Sequence, residues 1–314
     1  MHTEAIVLQQ PGVIALDELK LVEPGPDDAI VDMIWSGIST GTERLFWQGR
    51  MPWFPGLGYP LVPGYEGVGE VVSAPGGSGL APGDRVFVPG ANCYADARGL
   101  FGASAARVVV PARRVTKVAE QLGDRATLLS LAATAQHAIA ASPHSGPALI
   151  VGHGALGRLI ARLLIARGDP APTVWEVAAG RFSGALGYEV VAPAADDADR
   201  RYATVFEVSG SVQVVDQVVQ RIAHGGEIVL AGFYAEPLSI AFPPAFMREA
   251  RMRIAAEWTP ADLSTVEAHL DADRLSLDGL ISHRSAASDA TTAYRVAFDD
   301  PSCTKMILSW RTTQ

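Results

Sequence analysis

Apolar residues in the first 118 positions come in short runs, each broken within a few residues by polar or turn-forming ones. Residues 5–8, 29–34, 67–72, 85–88 and 106–110 read as strands, rich in Val and Ile and of strand length. Between them stand Pro24-Gly25-Pro26, Pro75-Gly76-Gly77-Ser78-Gly79 and Pro82-Gly83-Asp84, which mark turns. This pattern predicts an all-β domain with the character of a small barrel. From about 123 to 141 the apolar period becomes helical, and from 148 to 232 strand and helix patterns alternate, as a parallel doubly wound sheet requires. Strands are predicted at 173–176, 204–208, 227–231 and 305–310, and a helix at 263–270.

The sharpest local signal lies at 148–168. An apolar run, Ala148-Leu149-Ile150-Val151, meets Gly152-His153-Gly154-Ala155-Leu156-Gly157, and a helical pattern follows with Leu159, Ile160, Leu163 and Leu164 on one side and Arg158 and Arg162 on the other. In a dinucleotide site the first glycine allows the tight turn, the second lets backbone approach a pyrophosphate, and the third lets helix and strand pack closely. The same six residues also suit a plain packing turn. Glu176 closes the next predicted strand near the spacing, about 20 residues on, at which a carboxylate takes the ribose hydroxyls. A carboxylate there favours NAD and repels the extra phosphate of NADP. Ser209-Gly210 and Gly232-Phe233 follow later strands, where open α/β sheets bind ligands, although turn residues also simply end strands.

Composition removes several classes of function. The chain has 314 residues, 48% of them apolar, enough to bury one large or two ordinary cores. Its net charge of −9, with Lys and Arg scattered, gives no footprint for nucleic acid. No run is long and apolar enough to span a membrane, and the first ten residues lack the pattern of a signal peptide. Cys93 and Cys303 stand far apart with no metal-ligand spacing, which fits a reducing cytoplasm.

Further strings carry a resemblance. Ser36-Gly37-Ile38-Ser39-Thr40-Gly41-Thr42-Glu43, Gly64-Tyr65-Glu66-Gly67-Val68-Gly69-Glu70-Val71-Val72 and Pro82-Gly83-Asp84-Arg85-Val86, followed in order by the glycine loop, resemble the medium-chain dehydrogenase/reductase superfamily. That resemblance implies an α/β protein: an N-terminal GroES-like β-barrel domain at 1–120, rejoined by 283–314, plus a Rossmann domain at 121–282, with the active site in the cleft between them. It also implies that the catalytic zinc ligands of the family fall on Ser39, Tyr65 and Ser130. Hydroxyls do not replace thiolate and imidazole as ligands for zinc, and residues 90–102 hold one cysteine where the family's structural zinc lobe has four. A metal-free reaction is therefore expected.

Longer strings, among them residues 36–51, 58–66, 88–93 and 253–262, resemble the branch of the superfamily that serves bacteriochlorophyll synthesis. This implies NAD-dependent oxidation of a ring-A 1-hydroxyethyl group to acetyl, on a magnesium chlorin with a free propionate. It further implies a cytoplasmic enzyme, peripheral to the photosynthetic membrane, and a homodimer is a natural form for it. Catalytic candidates are Tyr65 and Thr42, to hydrogen-bond the alcohol and pass on its proton, with Ser39 beside them and Glu66 orienting the group; Glu43 is a second carboxylate of that region. Alternatively, Tyr65 and Ser39 only fill the space left by a metal. Cofactor candidates are Gly152, His153, Gly154, Ala155, Leu156, Gly157, Glu176, Ser209, Gly210, Gly232 and Phe233. The aromatic stretch 46–60 offers Trp47, Arg50, Trp53, Phe54 and Tyr59 to a flat pigment, or else to its own domain or a second subunit. His137 has a structural reading. Two other functions fit part of the pattern: a zinc-free NADPH-dependent quinone or enone reductase, and a nucleotide-binding protein without catalysis.

Overall fold

In the computed structural model, which describes residues 1–142 and 146–311, the chain begins with a hairpin, β1 (His2–Gln10) and β2 (Val13–Lys20), that turns at Gly12 in the left-handed region. Strand β3 (Asp28–Ile38) leads into a short helix, α1 (Thr42–Trp47). Then come β4 (Gly67–Ser73), β5 (Arg85–Val88), β6 (Arg107–Pro111) and β7 (Thr116–Lys117). Helix α2 (Leu129–Ala140) follows a 3-10 stretch, so the helical signal near 123–141 resolves into two kinds of helix. Next are β8 (Ala148–Val151), α3 (Ala155–Arg167), β9 (Thr173–Trp175), β10 (Glu189–Val191) and β11 (Tyr202–Glu207). Helix α4 (Val215–Arg221), β12 (Ile222–Leu230), α5 (Phe242–Met247), β13 (Arg251–Ile254) and α6 (Pro260–Asp271) complete that series. The chain closes with β14 (His283–Ala286), α7 (Ala290–Asp299) and β15 (Met306–Ser309). Residues 143–145 and 312–314, which fall inside the two expected domain ranges, lie outside the described residues.

Two compact units result, Met1–Ser130 with the chain from Ile281 onward, and Leu131–Leu280. In the first, a mixed sheet runs β14-β15-β3-β4-β5-β7, with β6 also on β3. The hairpin joins through bridges at Ala5–Ala105, Leu8–Leu61 and Leu21–Tyr94. Two apolar cores fill it, one around Val31, Val86 and Val108, the other around Phe46, Tyr294 and Leu308. The unit is not all β: α1 and α7 lie within it, and Phe46, Tyr294 and Phe298 from these helices share the second core. Cys93 and Cys303 are buried and not joined in a disulfide, and burial pushes the Cys93 thiol up to about 11.

The second unit holds a six-stranded sheet in the order β10-β9-β8-β11-β12-β13, with every pair parallel. Strand β8 is buried at all four positions, as a central parallel strand must be. Helix α3 turns Leu159, Ile160, Leu163 and Leu164 into the core and ends at Gly168 in the left-handed conformation. The expectation of a polar arginine face on α3 is corrected. Arg158 and Arg162 are both buried, and their guanidinium groups donate to backbone carbonyls, Arg158 to His153, Arg181 and Ser183, and Arg162 to Ser276 and Asp278. Five donors per arginine let loops without secondary structure satisfy their carbonyls in the interior. Helix α6 opens with Pro260 and a capping box between Thr259 and Asp262. His137 Nδ1 lies 3.0 Å from the same Asp262, in keeping with its structural reading.

Candidate functional site

The glycine loop separates three roles by geometry. Gly152 has φ +108, which a side chain rarely adopts, and turns the chain out of β8. A Cβ on Gly157 would stand 2.0 Å from the Gly152 carbonyl oxygen, so this position tolerates only glycine. A Cβ on Gly154 would meet nothing within 4 Å, which leaves open space over the first turn of α3, where backbone N–H groups point outward. Those open donors at a helix N-terminus suit a pyrophosphate.

Glu176, just past β9, is tied to this loop. Its Oε2 accepts from the His153 amide at 3.0 Å, and Oε1 accepts from the amides of Val177 and Ala178 at 2.7 and 2.8 Å. Burial pushes this carboxyl up, but the three amide bonds outweigh it and hold the group below the usual carboxylate range. Glu176 is thus ionised at neutral pH. The His153 side chain is buried and held by two partners of its own unit. Its Nδ1 donates to the Arg181 carbonyl at 2.6 Å, because a carbonyl only accepts, so Nε2 accepts from the Tyr188 hydroxyl at 2.8 Å. Burial pushes the ring down to about 4, and it stays neutral.

At the ends of β11 and β12, Ser209, Gly210 and Gly232 converge on a residue that sequence reasoning missed. Glu207 is buried; its Oε1 accepts from the Ser209 amide at 2.8 Å, and its carbonyl accepts from the amides of Ala231 and Gly232, each at 3.0 Å. The Ser209 and Tyr234 hydroxyls also donate to it. An acid inside the apolar run Thr204-Val205-Phe206-Glu207-Val208 was the available signal. Phe233 is half exposed beside these loops.

The catalytic candidates gather in the first unit, where β3 runs into α1 and where the loop before β4 carries Gly64-Tyr65-Glu66. The Tyr65 hydroxyl donates to Ser39 Oγ at 2.5 Å, and its ring stands edge-on to Phe101. Thr42 also hydrogen-bonds Tyr65, and its amide lies 3.4 Å from Ser39 Oγ. Burial, then the nearby Glu66 charge, push the Tyr65 phenol well above its ordinary value, so it remains protonated and works as a hydrogen-bonding hydroxyl. Glu66 is buried in an ion pair with Lys305, whose Nζ lies 2.6 and 2.8 Å from its two oxygens and donates to the Ile38 carbonyl at 3.1 Å. Lys305 was not foreseen, because only the β15–β3 pairing brings it here.

This donor set does not fit zinc. Ser39 and Tyr65 bond each other, Glu66 is occupied by an ammonium that repels a cation, and among the described residues no three His, Cys, Asp or Glu side chains converge.

The stretch after α1 divides. Trp47 packs on Phe298, Phe54 on Phe46, and the Tyr59 hydroxyl donates to the Phe46 carbonyl, so three of the five substrate candidates are committed to their own core. Trp53 is 78% exposed, and Arg50 is also at the surface.

Comparison with known proteins agrees with this architecture. The alcohol dehydrogenase GroES-like domain profile matches residues 25–120. A solved protein from E. coli CFT073, described as a short chain alcohol dehydrogenase and complexed with NADH, shares the fold at a TM-score of 0.83 and 19% identity, covering 98% of this chain and 99% of that one. Fold and domain together are those of a medium-chain dehydrogenase/reductase, an oxidoreductase class. The chain is 54% identical over 318 residues to a protein of Cereibacter sphaeroides, covering 100% of both, and 53% identical over 312 residues to one of Rhodobacter capsulatus, covering 99% of both. Within the class it belongs to the family of these two relatives, each named 2-desacetyl-2-hydroxyethyl bacteriochlorophyllide A dehydrogenase.

Proposed function

We propose that this chain oxidises the ring-A 3-(1-hydroxyethyl) group of a chlorophyllide or bacteriochlorophyllide to 3-acetyl, with NAD as oxidant and without zinc. The near-full-length identity to two relatives of that name is the observation that carries the substrate. For the cofactor, the ionised Glu176 against an open glycine loop supports NAD, since a fixed negative charge there repels the additional phosphate of NADP. Gly152 to Gly157, Glu176, and the loops at Ser209-Gly210 and Gly232-Phe233 would hold it. Bound NAD supplies the hydride acceptor.

The residues of the hydroxyl cluster do the remaining work. The carbinol adjoins a conjugated macrocycle that shares charge developing at its carbon, so a modest proton acceptor suffices if the alcohol is held in place. Tyr65 and Thr42 hydrogen-bond the alcohol, Ser39 carries the hydrogen bond onward, and Glu66, fixed by Lys305, keeps the Tyr65 loop in register. The exposed Trp53 supplies a stacking face and Arg50 a partner for the propionate, whereas Trp47, Phe54 and Tyr59 hold the loop in shape.

A second copy of the chain completes the protein as a homodimer. Strand β13 is the outer strand of its sheet, with Met252 and Ile254 exposed, and Phe242, Phe246 and Met247 lie exposed on α5. Such an edge is a template for strand pairing. No described helix is long and apolar enough to cross a membrane. The names of the two relatives support a cytoplasmic enzyme peripheral to the photosynthetic membrane, where an apolar pigment would be met.

The test is to incubate the purified protein with a hydroxyethyl chlorophyllide and either NAD or NADP. Reduced nicotinamide should form with NAD, in step with the pigment's spectral shift on acetyl formation. Equal or better use of NADP would overturn the cofactor assignment, and no pigment conversion with either would overturn the substrate.

A further inference from the structure

The hydroxyl cluster ends at a carboxylate that the scheme above leaves unused. Glu43, in the first turn of α1, is 1% exposed. Its Oε1 accepts from the Ser39 amide at 3.2 Å and its Oε2 from the Tyr294 hydroxyl at 2.7 Å, while its own amide donates to the Ser39 carbonyl at 3.1 Å. The groups facing it are Tyr294 from α7, Glu66 at the head of β4, Lys305 before β15, and the Tyr65 phenol. Lys305 is the cation nearest this region, and its ammonium is bonded to Glu66. Glu43 is therefore a buried carboxyl whose hydrogen bonds come from two neutral donors. Such a group is costly to keep ionised, and a purely structural position would be served as well by an amide. Ser39 is the member shared with the reacting end: its hydroxyl meets Tyr65, and its amide and carbonyl both meet Glu43.

We infer that Glu43 is a positioning residue that holds the proton leaving the substrate alcohol, received through the hydroxyls of Tyr65 and Ser39. This rests on the alcohol oxidation proposed above. The C–H hydrogen departs as hydride with its bonding pair to the nicotinamide already named as oxidant. The alcohol O–H bond breaks toward the Tyr65 oxygen, and its electron pair becomes the second bond of the new carbonyl. The Tyr65 proton passes to Ser39 Oγ, and a turn about the serine Cα–Cβ bond delivers the serine's own proton to the Glu43 carboxylate. One proton and two electrons leave with hydride and one proton ends on Glu43, which is 1% exposed and returns it through Ser39 and Tyr65 to water entering once the ketone has left. Burial, acting against the bonds from Tyr294 and Ser39, raises this carboxyl to about 7, so it both accepts and releases a proton near neutrality.

Infrared difference spectra of the protein alone, recorded across pH 5 to 9, should contain a protonated-carboxyl band that disappears near pH 7 and is missing from Glu43→Gln. In steady state, kcat/KM of the wild type should rise with pH to a plateau above about 7, because the accepting form is the carboxylate. Glu43→Gln should lower the plateau about 100-fold and flatten that limb. Glu43→Asp should restore part of both. Tyr294→Phe removes a donor that stabilises the carboxylate, so the band and the limb should both move to higher pH; this variant decides the matter if the glutamine variant does not fold. A limb unchanged in Glu43→Gln, or unmoved in Tyr294→Phe, would overturn the inference. The infrared band needs neither pigment nor NAD, so its absence sinks the inference by itself, whereas wild-type protein that shows the band but converts no pigment sinks the oxidation proposed above and, with it, the relay.

Discussion

Lys305 and Glu66, 239 residues apart in sequence, form an ion pair in which the ammonium bonds both carboxylate oxygens and both side chains are almost wholly buried. The pair fastens the approach to β15 against the start of β4, and the Ile38 carbonyl at the end of β3 takes a further ammonium hydrogen. Gly37 makes room: a Cβ there would stand 2.0 Å from Glu66 Oε2. Removing one partner leaves the other as a buried, unpaired charge. Lys305→Met should therefore cost about 3 kcal/mol of unfolding free energy, and Lys305→Met with Glu66→Gln should recover most of it. Urea denaturation of the two variants checks this, and equal losses in both would refute the account.

The three loop glycines should respond differently to alanine. Gly154→Ala places its methyl in open space, so the melting temperature should stay near that of the wild type while affinity for the nicotinamide cofactor falls. Gly157→Ala drives a methyl into the Gly152 carbonyl and should destabilise the protein itself by about 1–3 kcal/mol. Thermal melts with and without NAD separate the two effects.

Glu176→Gln keeps an oxygen for the Val177 and Ala178 amides but removes the charge. Preference for NAD over NADP, measured as the ratio of dissociation constants, should fall by about tenfold, equivalent to about 1.4 kcal/mol. An unchanged ratio would show that this carboxylate only organises the loop.

Stability should carry the mark of Glu43. Its carboxyl is raised from 4.5 to about 7 in the folded protein, so between those values the folded state binds the extra proton. Stability from this group is fully present below pH 4.5 and is lost as pH rises through about 7, a change on the order of 3 kcal/mol. Glu43→Gln does not titrate. Its melting temperature relative to wild type should therefore climb between pH 5 and pH 8, and a gap independent of pH would contradict the assignment.

Ile254, 75% exposed on the outer strand of the second unit's sheet, tests the homodimer. Ile254→Lys adds a charge to the edge and should convert the protein to monomer in light scattering, with the fold unchanged by circular dichroism.

What the sequence determined alone was local. The turn at Gly152, the helix from Ala155 to its stop at Gly168, and the acid at Glu176 depend on neighbours within one strand–turn–helix unit, so their period and glycine spacing could be read directly. The shared strings identified the superfamily and its branch in the same way, residue by residue. Strand β2 and the outer strand β13 were not foreseen: the alternation of Arg251, Met252, Arg253 and Ile254 lasts only four residues, and pairing with β1 and β12 is what holds the two strands extended. The short helices α1 and α5 were hidden among aromatic and proline residues. Only the tertiary structure decided that three of the loop's aromatic side chains turn inward and that two arginines of α3 are buried on carbonyls. It alone brings Lys305 to Glu66 and Tyr294 to Glu43, across 239 and 251 residues. No periodicity encodes such pairs. They exist because the last strands add to a sheet begun near residue 28, and a buried charge must find its partner wherever that sheet happens to bring one.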